Sequence, residues 1–183
     1  MESTFMDERV KYQYTFFKNS ELTKLSFFNL TSISTDYNFE RISESYLIDN
    51  FLFYEIKKGV SLATEIAWNQ KGLILAFGAQ YSYTKNNFRF DVFPSYRISD
   101  KRSLYTRMLL EYQSPIGKWI DLYFRGQLNG SIDFSGNTSL SNLYRLGLQY
   151  KNLRFGIGTP WFRALSTRSF KIELIGFFVG VNI

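Results

Sequence analysis

"FRFDVFPSYRISDKRSLYTRMLLEYQS", residues Phe88 to Ser114, splits in two when every second residue is read. Phe88, Phe90, Val92, Pro94, Tyr96 and Ile98 form one set; Arg89, Asp91, Phe93, Ser95, Arg97 and Ser99 form the other. After the polar break Asp100-Lys101-Arg102 the split resumes. Leu104, Thr106, Met108, Leu110 and Tyr112 stand against Tyr105, Arg107, Leu109, Glu111 and Gln113. Successive side chains of a strand point to opposite faces, so the pattern predicts two strands, each with a charged and an uncharged face. Two architectures use such strands. A soluble sheet turns the apolar face into a core and gives the arginines to water. A membrane barrel gives the apolar face to lipid and lines its interior with the arginines.

The same alternation runs through most of the chain. It predicts strands over Val10–Lys18, Val60–Asn69, Leu73–Thr84, Ile120–Asn129, Leu143–Tyr150, Leu153–Trp161 and Phe170–Ile183. Thr23–Ser34 and Tyr46–Lys57 are further candidates with no clean polar face, and the terminal strand is apolar on both faces except near its start. Asn69-Gln70-Lys71-Gly72 is a tight hairpin signal. Thr35–Ser45 is the one long irregular stretch. Eleven strands result, with no second domain and no repeat of solenoid type. Short turns between neighbours force antiparallel pairing.

Composition removes whole classes of chemistry. The 183 residues contain no histidine and no cysteine. A Ser-His-Asp triad, a histidine base, a histidine-ligated zinc, a disulfide and a thiolate metal site are therefore excluded from the chain. No metal ligand set and no cofactor motif is present. Gly156–Pro160, "GIGTP", lacks the lysine and helix of a phosphate loop. Aromatic residues make up 19 %, with 19 Phe and 13 Tyr, which suits β-structure. The formal net charge is +6. The arginines are spread one or two per strand instead of clustered, which argues against nucleic acid. No apolar run reaches the ~18 residues of a transmembrane helix. The opening "MESTFMDERV" lacks the charged and apolar regions of a signal peptide and is read as the start of a mature segment with an added Met.

Three features choose between the two architectures. From Val60 to Trp161 the polar faces carry Arg89, Arg97, Arg107, Arg125, Arg145 and Arg154 with Glu65, Asp91, Glu111 and Asp121, while the opposite faces carry bulky apolar residues and no charge. So many bulky side chains overfill the interior of a small soluble barrel. Tyr81, Tyr83, Tyr96, Tyr112, Tyr150, Trp68 and Trp161 sit near strand ends, like the aromatic girdles of membrane barrels. Gly78, Gly147, Gly156 and Gly158 fall on the polar face, where a curved lumen wall is crowded. The expected fold is all-β: one domain over 1–183, an antiparallel up-and-down transmembrane β-barrel. Bacterial barrels have even strand numbers, which favours twelve strands, with ten as the alternative.

Leu73–Ser114 and the terminal "FKIELIGFFVGVNI" give the chain the look of a small bacterial outer-membrane barrel. In size and style it resembles the oligogalacturonate-specific porins, the small porins for acidic oligosaccharides. That resemblance implies about twelve strands and a basic lumen. The ending "VGVNI" departs from the terminal aromatic of many outer-membrane proteins.

The expected function is a non-enzymatic outer-membrane channel for passive diffusion of small anionic solutes. Arg89, Arg97, Arg107, Arg125, Arg145 and Arg154 line the lumen and attract them, and Asp91, Glu111 and Asp121 hold these side chains in place. Asp91, Glu111 and Asp121 as a glycosidase-like pair is the weaker interpretation. The expected partners are outer-membrane lipid, small anionic solutes and other envelope proteins, with no nucleic acid. Two alternatives stay open: a non-conducting structural or accessory barrel, and a soluble lipocalin-like barrel for a lipophilic ligand.

Overall fold

A computed structural model describes residues 1–5, 9–20, 23–36, 45–98, 102–164, 169–172 and 175–181. The first half of the chain supplies β1 (Glu2–Phe5), β2 (Arg9–Asn19), β3 (Leu25–Asp36), β4 (Ser45–Lys57), β5 (Val60–Asn69), β6 (Gly72–Lys85) and β7 (Phe88–Ile98). The second supplies β8 (Ser103–Pro115), β9 (Ile120–Asp133), β10 (Thr138–Tyr150), β11 (Leu153–Ala164), β12 (Ser169–Ile172) and β13 (Gly176–Val181). Each pairs antiparallel with its sequence neighbour from β1 to β11. β12 and β13 both pair with β11, along successive parts of it, and share one strand position. β13 also pairs with β1, which closes the sheet on itself. Thirteen segments thus fill the twelve positions of a closed barrel.

The eleven strands expected from alternation are all present, and the twelfth is β1. Four residues are too few for a periodic signal, so "ESTF" is invisible as a strand until its neighbours are known. The irregular stretch after Thr35 lies mostly outside the described residues, as does most of the turn expected at Ser99–Arg102. The hairpin at Asn69–Gly72 forms as its sequence requires. The Lys71 amide donates to Asn69 Oδ1 at 2.8 Å, and Gly72 takes φ 113°, which favours a residue without a Cβ.

The uncharged faces point outward. On β5, Leu62, Ile66 and Trp68 are 54–59 % exposed, while Ala63, Glu65 and Ala67 between them are at most 3 % exposed. Across the opening pair, Arg89, Asp91, Phe93, Ser95 and Arg97 face inward, opposite Glu111, Leu109, Arg107, Tyr105 and Ser103. A soluble barrel reverses this arrangement, so the lipocalin-like alternative does not describe the fold. β2 to β11 run from 10 residues (β5) to 14 (β6 and β9). That meets the about 9–11 residues a tilted strand needs to cross hydrocarbon.

The barrel has two distinct ends. At one, called here the turn end, the connections are residues 20–24, 58–59, 86–87, 116–119 and 151–152. The far end carries the longest connection, residues 37–44. Tyr81, Tyr83, Tyr112 and Tyr150 stand outward near the turn end, with Trp68 and Tyr96 near the far end. The side chain of Trp161 lies outside the described residues. The inward glycines serve close backbone approach: a Cβ on Gly147 would lie 2.2 Å from Phe155 O, and one on Gly156 2.3 Å from Leu146 O.

Leu146 sits outward near the middle of β10, opposite Ile157 and Phe124. Leu146→Arg is predicted to lower stability in lipid vesicles by about 2–4 kcal/mol, the cost of a midplane cation on a lipid face. Denaturant titration measures this; an unchanged midpoint would place the outward face in water.

Candidate functional site

Period-2 alternation delivers all nine predicted site residues to the inward face, but it does not gather them into one site: Arg97, Arg107 and Arg145 line one cavity, Arg89, Glu111, Asp121 and Arg154 another, and Asp91 and Arg125 neither. Five arginines meet carboxylates. Arg89 Nε lies 2.7 Å from Asp91 Oδ2, Arg97 Nη2 2.9 Å from Glu65 Oε1, Arg125 Nη1 3.3 Å from Glu111 Oε1 and Arg107 Nη1 3.8 Å from Asp49 Oδ2. Arg145 pairs with Glu2. Three of these partners lie outside the nine: Glu65, read only as a polar-face charge, and two that the sequence does not mark at all, Glu2 and Asp49. The latter two lie on β1, which shows no alternation, and on β4, whose inward face mixes Asp49 with Phe51 and Phe53.

Asp121 does not hold an arginine among the described residues. It accepts a hydrogen bond from Gln113 Nε2 at 2.6 Å: Pro115 stands directly opposite Asp121 in the β8–β9 ladder and offers no donor, and Gln113 is the diagonal inward neighbour. Arg154 has no carboxylate partner among the described residues either. Its Nε donates to Gln149 Oε1 at 2.6 Å, and its guanidinium lies 4.4 Å from the Tyr123 ring centroid. Arg97 likewise stacks on Tyr105 at 3.4 Å. Each such contact is worth about 0.5–2 kcal/mol and fixes the plane of the guanidinium, which an ion pair alone does less well.

Among the described residues, two lumen cavities stand out, and they share no lining residue. The larger, about 560 Å³, lies toward the far end. Its charged lining is Lys11, Arg97, Arg107 and Arg145 against Asp49 and Glu65, four cations to two anions. The rest is rich in hydroxyl and amide groups, among them Gln13, Ser32, Gln127, Asn129, Ser131 and Ser141. The smaller, about 450 Å³, lies toward the turn end and is lined by Arg89 and Arg154 against Glu111 and Asp121.

Between the cavities the side chains pack closely. Phe51 stacks on Phe53 and meets Phe93 edge-on, at 5.8 and 5.5 Å between centroids, with Phe28 5.9 Å from Phe51. Arg107 lies 4.3 Å from the Phe51 centroid. On the other wall Tyr123 meets Phe178 at 6.1 Å, and Arg145 lies 5.7 Å from Phe178. These inward rings explain why β3, β4 and β13 show no clean polar face in the sequence.

Comparison with known proteins places the fold. No protein-family model matches the chain, and no curated protein matches it in sequence. Among solved structures, the chain is similar to the NanC porin, with TM-score 0.61, 6 % identity, 100 % of this chain and 98 % of that one covered. It is also similar to the KdgM porin in complex with disordered oligogalacturonate, with TM-score 0.57, 7 % identity, and 100 % and 99 % covered. At such identities the likeness is one of fold: the chain has the twelve-stranded barrel of small porins, over its whole length.

Glu2→Ala leaves Arg145 charged and buried without its partner. It is predicted to destabilise the barrel by about 3–5 kcal/mol, and adding Arg145→Met to recover most of that loss. Urea unfolding of the two variants in detergent micelles checks the sign. Equal stability of Glu2→Ala and the unaltered chain would show the pair to be idle.

Proposed function

We propose that this chain is an outer-membrane channel of the porin class, through which small anionic solutes pass by diffusion. One observation carries the choice of anion: around the far-end cavity Lys11, Arg97, Arg107 and Arg145 outnumber the lining carboxylates Asp49 and Glu65, even with Glu2 paired to Arg145, in a lining rich in hydroxyls and amides. An excess of fixed positive charge between low-dielectric walls concentrates anions and repels cations. Hydroxyl and amide groups suit a solute that is itself hydroxylated, and the porin KdgM, of the same fold, was solved with oligogalacturonate. Short turns mark the periplasmic side of outer-membrane barrels, so the far-end cavity faces the exterior. The apolar outward face makes outer-membrane lipid the immediate partner.

The work of the lumen is passage, not chemistry. Of the acids read as a glycosidase-like pair, Asp91 and Glu111 are each engaged by an arginine, and Asp121 accepts from Gln113. The selectivity set is Arg97, Arg107 and Arg145 with Lys11 at the far end, and Arg89 and Arg154 at the turn end. Asp91 and Glu111 position Arg89 and Arg125.

A second reading, a non-conducting accessory barrel, is favoured by the close packing between the two cavities.

Reversal potentials across a salt gradient in planar bilayers test the proposal. Open events are predicted to prefer chloride over potassium, and Lys11→Glu to reduce that preference by evening the charge of the far-end cavity. Preference for potassium in the unaltered protein overturns the basic-lumen proposal.

A further inference from the structure

The middle of the lumen is closed in a way that the channel function does not explain. Phe51 and Phe178, on opposite walls, are each 1 % exposed, and Phe93 and Tyr123 are 2 % exposed. Phe51, Phe93 and Phe178 line neither cavity, and Tyr123 closes the inner side of the turn-end one. An arginine packs against each of these aromatic shelves: Arg107 from β8 over Phe51, and Arg145 from β10 against Phe178. Arg145 is itself 1 % exposed.

The polar groups of this layer are not fully satisfied. Arg145 Nε and Nη1 are buried and have no hydrogen-bond partner among the described residues, and neither have Asp49 Oδ1 and Glu65 Oε2. Buried polar networks that serve as permanent structure are normally complete, because each orphan group costs its full desolvation. An incomplete network beside two cavities has an alternative open to it. A hydrated anion entering from the far end offers acceptors to Arg145, which already lines that cavity. Arg107 is held by an ion pair of 3.8 Å, longer than a hydrogen bond, and by contact with a ring face. Both arginines have long side chains that can swing without moving a strand, whereas the phenylalanines are anchored close to the wall.

We propose that passage is controlled at this septum, which separates the two cavities at rest and opens when Arg107 and Arg145 swing toward an incoming anion. The proposal rests on the channel function given above and adds a gate to it. The strands stay in place; the gate is a change of side-chain rotamer. It predicts brief, anion-dependent openings instead of a steady pore.

The absence of cysteine makes a direct test available. Ser131→Cys places a thiol in the far-end cavity and Thr84→Cys one in the turn-end cavity. Each variant is reconstituted in vesicles of mixed orientation and treated outside with a membrane-impermeant thiol reagent. With a closed septum, the labelled fractions of the two variants sum to the whole. In an open lumen each fraction reaches the whole. Removing a charge pair together, Arg107→Ser with Asp49→Ser, is expected to carry both fractions to the whole and to raise planar-bilayer conductance several-fold. Phe51→Ala in place of that pair gives a second route to the same result, and heat-shifted gel mobility confirms that each barrel is folded. Full labelling of both thiols in the otherwise unaltered protein overturns the septum and leaves the channel standing. Complementary labelling that persists in both widened variants, without conductance, overturns the gate and the channel together.

Discussion

Closure of the β-ladder is the constraint on which the rest depends. In hydrocarbon a backbone amide finds no partner except another backbone group, so a sheet that spans lipid must have no free edge there. In this chain the joint is made by one of its two shortest strands. β1 contributes four residues and pairs with β2 on one side and β13 on the other. The ion pair between Glu2 and Arg145 ties the joint to β10 across the lumen. A charge pair sealed inside the barrel thus serves the same end as the ladder that surrounds it.

Closure also decides what the charged faces mean. On an open sheet Arg97 and Glu65 would be two solvated groups on strands that are not neighbours; within the barrel they meet at 2.9 Å. The lumen that results is more nearly balanced than a count of arginines implies, because Glu2 and Asp49 join the acids. Excess positive charge survives locally, at the far-end cavity, and the proposed anion preference rests on it. Where charge is balanced, packing takes over: rings from both walls and two guanidinium groups fill the middle.

Much of this is legible in the sequence. Alternation fixes β2, the strands from β5 to β11 and the inward set of nine charged residues, since a period of two cannot put Arg89, Arg97 and Arg107 anywhere but on one face. What the sequence hides, it hides for physical reasons. β1 is too short to show a period. β3, β4 and β13 carry apolar side chains on both faces, because Phe28, Phe51, Phe53 and Phe178 build the mid-lumen packing. Glu2 and Asp49 sit on just those strands, so their pairing with Arg145 and Arg107 depends on distances across the lumen that no local pattern contains. Asp121 goes to Gln113 for a local reason, the register of the β8–β9 hairpin, which alternation alone does not set.

The central claim is the inversion: apolar faces to lipid, arginines to the lumen. Fluorescent labels on single introduced cysteines along Phe88–Ser114, read against a lipid-borne quencher and a soluble one, test it residue by residue. Positions 90, 92, 96, 108 and 110 should be quenched from the lipid, and positions 89, 97, 107 and 111 should not. Quenching of the second set by lipid, or of the first set by the soluble quencher alone, would contradict the inverted barrel.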